Sequence, residues 1–267
     1  MTYANQNAIQ IPAILITPIP AFQDNYIWLL HNSLNAVVVD PGDAKPVIAK
    51  LKEKKLILTT VLITHYHADH INGVEELIEY AKNQHQNLNI YAPQYEPYTF
   101  NHIKVGENDE IYLPEINQTF KVLWLPGHTN GHIAYVNDAY LFCGDTLFGA
   151  GCGRLFEGTP AQMLDSLNRI KALNKTTQLF CTHEYTAKNI QFALELEPDN
   201  QDLINRQIAV NALREKLKPS LPSTIDCELK TNPFLRCAQP SIFARSKALK
   251  NDDLSVFTAI RILRNHY

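Results

Sequence analysis

The stretch VLITHYHADHINGV, residues 61–74, sets three histidines and an aspartate, His65, His67, His70 and Asp69, within six positions directly after an apolar run. Imidazole nitrogens and carboxylate oxygens are the usual protein ligands of zinc and its neighbours in the transition series. A histidine met singly is more often a hydrogen-bonded core or surface residue than a ligand, which is how we read His31, His85, His102 and His266. Four candidates at the end of one predicted strand are different, because strand ends in α/β proteins carry functional loops. On a helix His65 and His67 would point apart, whereas extended or loop backbone can turn both to one side.

Outward from the cluster, the chain alternates short strands and helices. Upstream, AILITPI (13–19), NYIWLLHN (25–32) and NAVVVD (35–40) read as strands, the last closed by the turn PGD. AKPVIAKLKEKK (44–55) reads as an amphipathic helix and LILTTVLIT (56–64) as the strand entering the cluster. Val74, Leu77, Ile78 and Ala81 recur at helical spacing just after it, so the cluster is expected in the loop between a strand end and a helix start. Further strands are expected at 87–94 and through 107–148, where Asn-Asp and Pro-Gly pairs mark turns. Thr159, Pro160 and Gln162 have the spacing of a capped helix start, followed by the stripe Met163, Leu164, Leu167, Ile170 and Leu173. Residues 176–196 supply one more strand, a loop and a helix, and 201–217 and 253–267 are helical in pattern. The expectation is a mixed α/β domain over 1–174 followed by a small all-helical domain over 175–267.

Three further candidates each follow an apolar run: His128 in VLWLPGHTNGH, Asp145 in YLFCGDTLF and His183 in LFCTHEY. Five histidines and two aspartates at four strand ends exceed the needs of one tetrahedral zinc. Two metals sharing a bridging carboxylate and a bridging water would use all seven. Either aspartate alone could equally cap a helix or accept turn amides. His132, four residues after His128, is read as a structural or supporting residue.

Composition narrows the partners. The 267 residues are 45% hydrophobic and 19% charged with a formal charge of -3, which argues for a folded protein without the broad basic field that nucleic-acid phosphates require. The N-terminal segment has no positive residue ahead of its apolar part and no small-residue cleavage signature, and no run reaches about 18 apolar residues. A monomer in the cytoplasm, away from membranes, is expected. The five cysteines, odd in number and without zinc-ribbon spacing, fit a reducing compartment.

THYHADH has the H-x-H-x-D-H pattern of the metallo-β-lactamase superfamily, and GHTNGH, GDTLF and THEYT match its other blocks. More narrowly, GCGRLFEGT, HEYT and NPFLR resemble the glyoxalase II (hydroxyacylglutathione hydrolase) family, and with DNYIWLL and VVVDPGD the resemblance spans essentially the whole chain. It implies an αββα sandwich with the metals at one edge, followed by a helical substrate-binding domain. By motif position, His65, His67 and His128 correspond to ligands of one metal and Asp69, His70 and His183 to those of the other, with Asp145 bridging. Zinc is the implied metal; iron and manganese suit the same donors.

The implied substrate is an S-(2-hydroxyacyl)glutathione, chiefly S-D-lactoylglutathione, cleaved to glutathione and D-lactate by a hydroxide held between two metals. Asp69 and Asp145 are the implied catalytic carboxylates. A thiol leaving group of pKa about 8.5 demands no separate acid. Arg154, Tyr185 and Arg236 match positions that meet glutathione, while Phe156 stands where some relatives have a tyrosine. Two departures follow: CAQPSIFARSKALK lacks the lysine that some relatives carry near Arg236, and RILRNHY replaces an Arg-x-x-Lys-Asp ending. A β-lactamase, a metal-dependent nuclease and a metal-bound interaction module are the competing classes, and a water-bearing site opening onto Arg154, Tyr185 and Arg236 separates hydrolysis from the last.

Overall fold

A computed structural model describes residues 14–267; the reading of the N-terminal 13 residues lies outside them. The first sheet contains β1 (Leu15–Ala21), β2 (Asn25–His31), β3 (Asn35–Val39), β4 (Ile57–Leu62), β5 (Asn89–Pro93) and β6 (Ile103–Val105) in that spatial order. The β1, β2 and β3 neighbours run antiparallel, and β3 to β6 run parallel. The second sheet begins with β7 (Glu110–Leu113), β8 (Gln118–Trp124), β9 (Ile133–Val136) and β10 (Tyr140–Gly144). A small hairpin of β11 (Leu147–Phe148) and β12 (Gly151–Cys152) follows, and the second sheet is completed by β13 (Gln178–Cys181) and β14 (Ser223–Thr224). Its order is β14-β13-β10-β9-β8-β7.

Strand β2 explains why the sheets stack. Alternate side chains of a strand face opposite sides, and here both sides are buried. Trp28 and Leu30 join Phe120, Val122, Phe142 and Phe180 of the second sheet in the core between the sheets. Ile27 and Leu29 face outward onto α1 (Ala44–Lys54) through Val47 and Leu51, and onto the helix after the histidine cluster through Val74 and Leu77. Burying a side chain of this size contributes about 1.5–3 kcal/mol. Trp28 also donates from Nε1 to the Cys181 carbonyl at 3.0 Å, tying the sheets at the end where the cluster lies.

The cluster is not wholly a loop, because α2 (Ala68–Ile71) takes up its second half before α3 (Val74–Asn83) begins. The expected helix start at Thr159 is present as α4 (Pro160–Lys171): the threonine hydroxyl accepts from Gln162 N at 3.2 Å while Gln162 Oε1 accepts from Thr159 N at 2.8 Å. The C-terminal region carries α5 (Thr186–Leu196), α6 (Gln201–Arg214), α7 (Ile225–Thr231), α8 (Pro240–Ser246) and α9 (Asp253–Asn265). Two strands nonetheless lie beyond residue 174. Leu179, Phe180 and Cys181 form a continuous buried apolar run, which suits a strand covered on both faces, and β13 pairs parallel with β10. The second sheet therefore runs past the expected division. Trp124 is 37% exposed and donates from Nε1 to Asn130 O at 2.8 Å.

Candidate metal centre and adjoining cleft

Four strand ends open onto one edge of the sandwich. The segment after β4 carries His65, His67, Asp69 and His70; the loop after β8 carries His128; β10 is followed by Asp145 and β13 by His183. Each of these strands delivers its ligand within a few residues of its last ladder bond, so the rigid sheets set the spacing.

His67 Nδ1 lies 3.1 Å from His65 Nε2 and 3.0 Å from His128 Nε2. On the other side, Asp69 Oδ2 lies 3.6 Å from His70 Nε2 and 3.4 Å from His183 Nε2. Asp145 stands between them, Oδ1 3.5 Å from His70 Nε2, and Oδ2 3.5 Å from His128 Nε2 and 3.4 Å from His183 Nε2. A tetrahedral ion about 2.0–2.1 Å from each donor spaces its ligands by about 3.3 Å, which these separations fit. His70 Nε2 and Asp145 Oδ1 are buried with no hydrogen-bond partner among the described residues, a costly state that a cation would relieve.

The outer nitrogens explain why the inner ones face the site. His128 Nδ1 donates to the Arg154 carbonyl at 2.9 Å and His183 Nδ1 to Asp24 Oδ1 at 2.9 Å. Thr64 Oγ1 donates to Asp40 Oδ2 at 2.7 Å, which leaves it to accept from His65 Nδ1 at 3.1 Å. Such contacts select the tautomer whose Nε2 lone pair points inward. His132 is buried, stacks on His65 at 4.7 Å and accepts from the Asp145 amide at 3.1 Å, the supporting place expected of it. Gly144, at φ 48, lets this layer close, since a Cβ there would stand 2.2 Å from Thr64 Oγ1.

The electrostatics divide the site. Burial pushes His65, His67 and His128 below the ordinary imidazole value, leaving them neutral with free lone pairs. Burial also opposes charge on His70, yet the Asp145 and Asp40 carboxylates outweigh it and raise that imidazole to about 10. His183 is pulled up in the same way, chiefly by Asp145, while Asp145 itself is held far below the usual carboxylate range by His183 and His70. A divalent ion would take the place of those imidazole protons.

A cleft of about 430 Å³ adjoins His128 and Asp145. The hairpin of β11 and β12 forms one wall and leads to Arg154; Tyr185, Lys188 and Asn189 come from the β13–α5 connection and the first turn of α5. Arg261, Arg264 and Tyr267 close it from the C-terminal end. Tyr185 stacks on His183 with the rings 4.7 Å apart and 3° from parallel. Burial and the neighbouring Arg261 and Arg154 charges lower the Arg264 guanidinium. The cleft is thus built to receive an anion.

Residues 22–183 match the family model described as the metallo-beta-lactamase superfamily, and 184–267 match the one described as hydroxyacylglutathione hydrolase C-terminus. A hydroxyacylglutathione hydrolase of Methylobacillus flagellatus is 52% identical over 94% of this chain and 99% of its own length. The chain belongs to the hydroxyacylglutathione hydrolase family. A second member, from Photobacterium profundum, is 48% identical over 95% of this chain and 100% of its own. The fold extends to the B3 metallo-beta-lactamase BLEG-1, with a TM-score of 0.62 at 24% identity over 83% of this chain and 99% of that one.

Against the family resemblance, the structure brings Arg154 and Tyr185 to the cleft but not Arg236. Its Nε and Nη2 grip Glu197 at 2.7 and 2.8 Å and its Nη1 donates to the Leu229 carbonyl at 3.1 Å, so every arm of the guanidinium is engaged inside the helical region. Arg264 stands in the cleft instead, with Arg261 buried in its wall and donating to the Cys152 carbonyl at 2.8 Å. The signal for them was the ending RILRNHY, in which two arginines three apart share one face of a helix. Phe156 is 63% exposed and meets the His67 and His128 rings edge-on at 5.5 and 5.2 Å.

Proposed function

We propose that this protein hydrolyses the thioester of S-(2-hydroxyacyl)glutathione, chiefly S-D-lactoylglutathione, to glutathione and D-lactate. His65, His67 and His128 would hold one divalent ion, Asp69, His70 and His183 a second, with Asp145 between them. Zinc fits the imidazole-rich donors best, and iron or manganese is compatible. When bound, such ions supply Lewis acidity toward a carbonyl oxygen and a water acidic enough to react near neutral pH.

The chain's own residues do the rest. Asp69, kept ionised by His183, His70 and Asn25 against the cost of burial, would accept a hydrogen bond from the attacking water and so aim its lone pair. Arg154 and Arg264 attract the carboxylates of the glutathione arm, Arg261 stays buried behind them on the Cys152 carbonyl, and Tyr185 offers an aromatic face and a hydroxyl beside His183. Binding the remote arm fixes the thioester against the metal edge.

The observation that carries this reading is the opening of a cationic cleft directly onto Asp145 and His128. It is supported by family membership, and the fully free cysteines suit a reducing, cytoplasmic setting. Among the described residues no helix is long and apolar enough to cross a membrane. We place the division between catalytic and helical parts near 183/184, where the two matched segments meet, and take the protein as a monomer.

The test is hydrolysis of S-D-lactoylglutathione by purified, metal-loaded protein with bound metal counted. Rapid turnover with two ions is expected, abolished in Asp145→Ala, while Arg154→Ala mainly raises KM. An intact thioester alongside cleavage of a β-lactam or RNA would overturn the assignment.

A further inference from the structure

The dipeptide Asp24–Asn25 opens the matched block DNYIWLL, yet the chemistry above gives the pair no joint task. In the β1–β2 ladder Ala21 faces Asn25, so the chain reverses over residues 22–24. That reversal reaches the opposite sheet. Tyr26 N donates to Thr182 O at 2.6 Å, Glu184 N donates to Asp24 O at 2.8 Å, and Asn25 bridges His183. The backbone therefore joins the start of β2 to the segment leaving β13.

From this junction two adjacent side chains go to two different ligands. Asp24 Oδ1 accepts from His183 Nδ1 at 2.9 Å, and Asn25 Nδ2 donates to Asp69 Oδ2 at 3.0 Å. Asp69 descends from the first sheet and His183 from the second. Asn25 is 5% exposed, whereas the Asp69 side chain, on the short α2, is 40% exposed and depends on outside contacts for its orientation. His65 and His128 are braced elsewhere, by Thr64 and the Arg154 carbonyl.

We propose that Asp24 and Asn25 are positioning residues that set the spacing of Asp69 to His183, and through it the affinity of the Asp69–His70–His183 position for its ion, leaving the His65–His67–His128 position unchanged. The inference rests on the two-ion reading above. A carboxylate on the far nitrogen of a ligating imidazole fixes its ring and raises its basicity, and loss of such partners costs about 10–100-fold in metal affinity. The Asn25 amide does the corresponding work for Asp69 by halting rotation of the carboxylate.

The experiment loads wild type, Asn25→Ala, Asn25→Asp, Asp24→Ala and Asp24→Asn with zinc, then titrates each with a competing chelator while counting bound zinc. Wild type is expected to hold two ions. Asn25→Ala and Asp24→Ala should hold the first ion as wild type does and the second about 10–100-fold more weakly. Asn25→Asp keeps the shape but replaces the donor with an acceptor, and should be no better than Asn25→Ala. Asp24→Asn retains an acceptor oxygen without the charge and should fall between wild type and Asp24→Ala. Two ions at wild-type affinity in Asn25→Ala, or equal weakening of both, would overturn the inference while sparing the two-ion reading. Fewer than two ions in wild type would remove both.

Discussion

Asp40 Oδ2 lies 3.0 Å from Nδ1 of His70, and the same carboxylate accepts from Thr64 N at 2.8 Å and Thr64 Oγ1 at 2.7 Å. One buried aspartate, at φ 52, thus braces the segment after β4 at both His70 and the residue preceding His65. Asp40→Asn should turn an amide N–H toward His70 or leave it unpaired, cutting thioester turnover about 10–100-fold with the fold retained. Asp40→Ala should also orphan the Thr64 donors, costing about 1–3 kcal/mol for each. Paired rate and thermal-melt measurements check this; an unimpaired rate in Asp40→Asn would refute it.

Arg154 and Arg236 should separate cleanly on mutation. Arg154→Ala is expected to raise KM about tenfold with kcat nearly kept, because a charged hydrogen bond to the substrate arm is lost. Arg236→Ala should leave KM within about twofold and instead destabilise by about 2–3 kcal/mol, less than the 3–5 of a fully buried pair because Arg236 keeps some solvent. Burial alone would raise the Glu197 carboxyl, but Arg236 holds it below its ordinary 4.5. The folded state therefore binds fewer protons there than the unfolded state. The stability gap between wild type and Arg236→Ala should be full above pH 4.5 and close as pH falls through the depressed value. Melts across the acid range measure the gap, and a pH-independent one would contradict the pairing.

Glu96 gives the opposite sign. Burial lifts its carboxyl from 4.5 to about 7, against the lowering effect of hydrogen bonds from Thr129 and Tyr98. The folded state holds that proton more tightly, so this group's contribution is full below 4.5 and lost as pH rises through about 7. The melting temperature of Glu96→Gln minus that of wild type should rise over this interval. A flat difference would show that Glu96 does not titrate in it.

Phe156 presents an exposed ring beside His67 and His128 but no donor. Phe156→Tyr adds a hydroxyl at the rim and should lower KM about 2- to 10-fold, the value of one neutral hydrogen bond. A KM unchanged by the substitution would place this ring outside the substrate's reach. Phe156→Ala, run alongside, reports whether the ring itself matters.

The elements that frame the edge were legible because their signals are local. The apolar run of β2, the Thr159–Gln162 capping box and the apolar stripe of α3 are each decided within a few neighbours along the chain. The candidate donors were legible because each stands just past an apolar run, and strand ends in such sheets converge in space. The strand within 176–196 was legible as an apolar run, but its parallel pairing with β10, which carries the second sheet past residue 174, joins segments distant in the chain and is decided only by packing.

By itself, then, the sequence determined the strand ends, the residues they carry and the family to which these belong. The tertiary structure alone decided how those residues are used. Asp24, Asn25 and Asp40 reach their histidines and carboxylate across gaps of 30 to 159 positions, which no spacing along the chain encodes. Arg236 turned to Glu197, 39 positions away, rather than to the cleft, leaving that place to Arg264. A long, flexible guanidinium takes the nearest well-placed carboxylate, and nearness in space is a property of packing, not of the chain order.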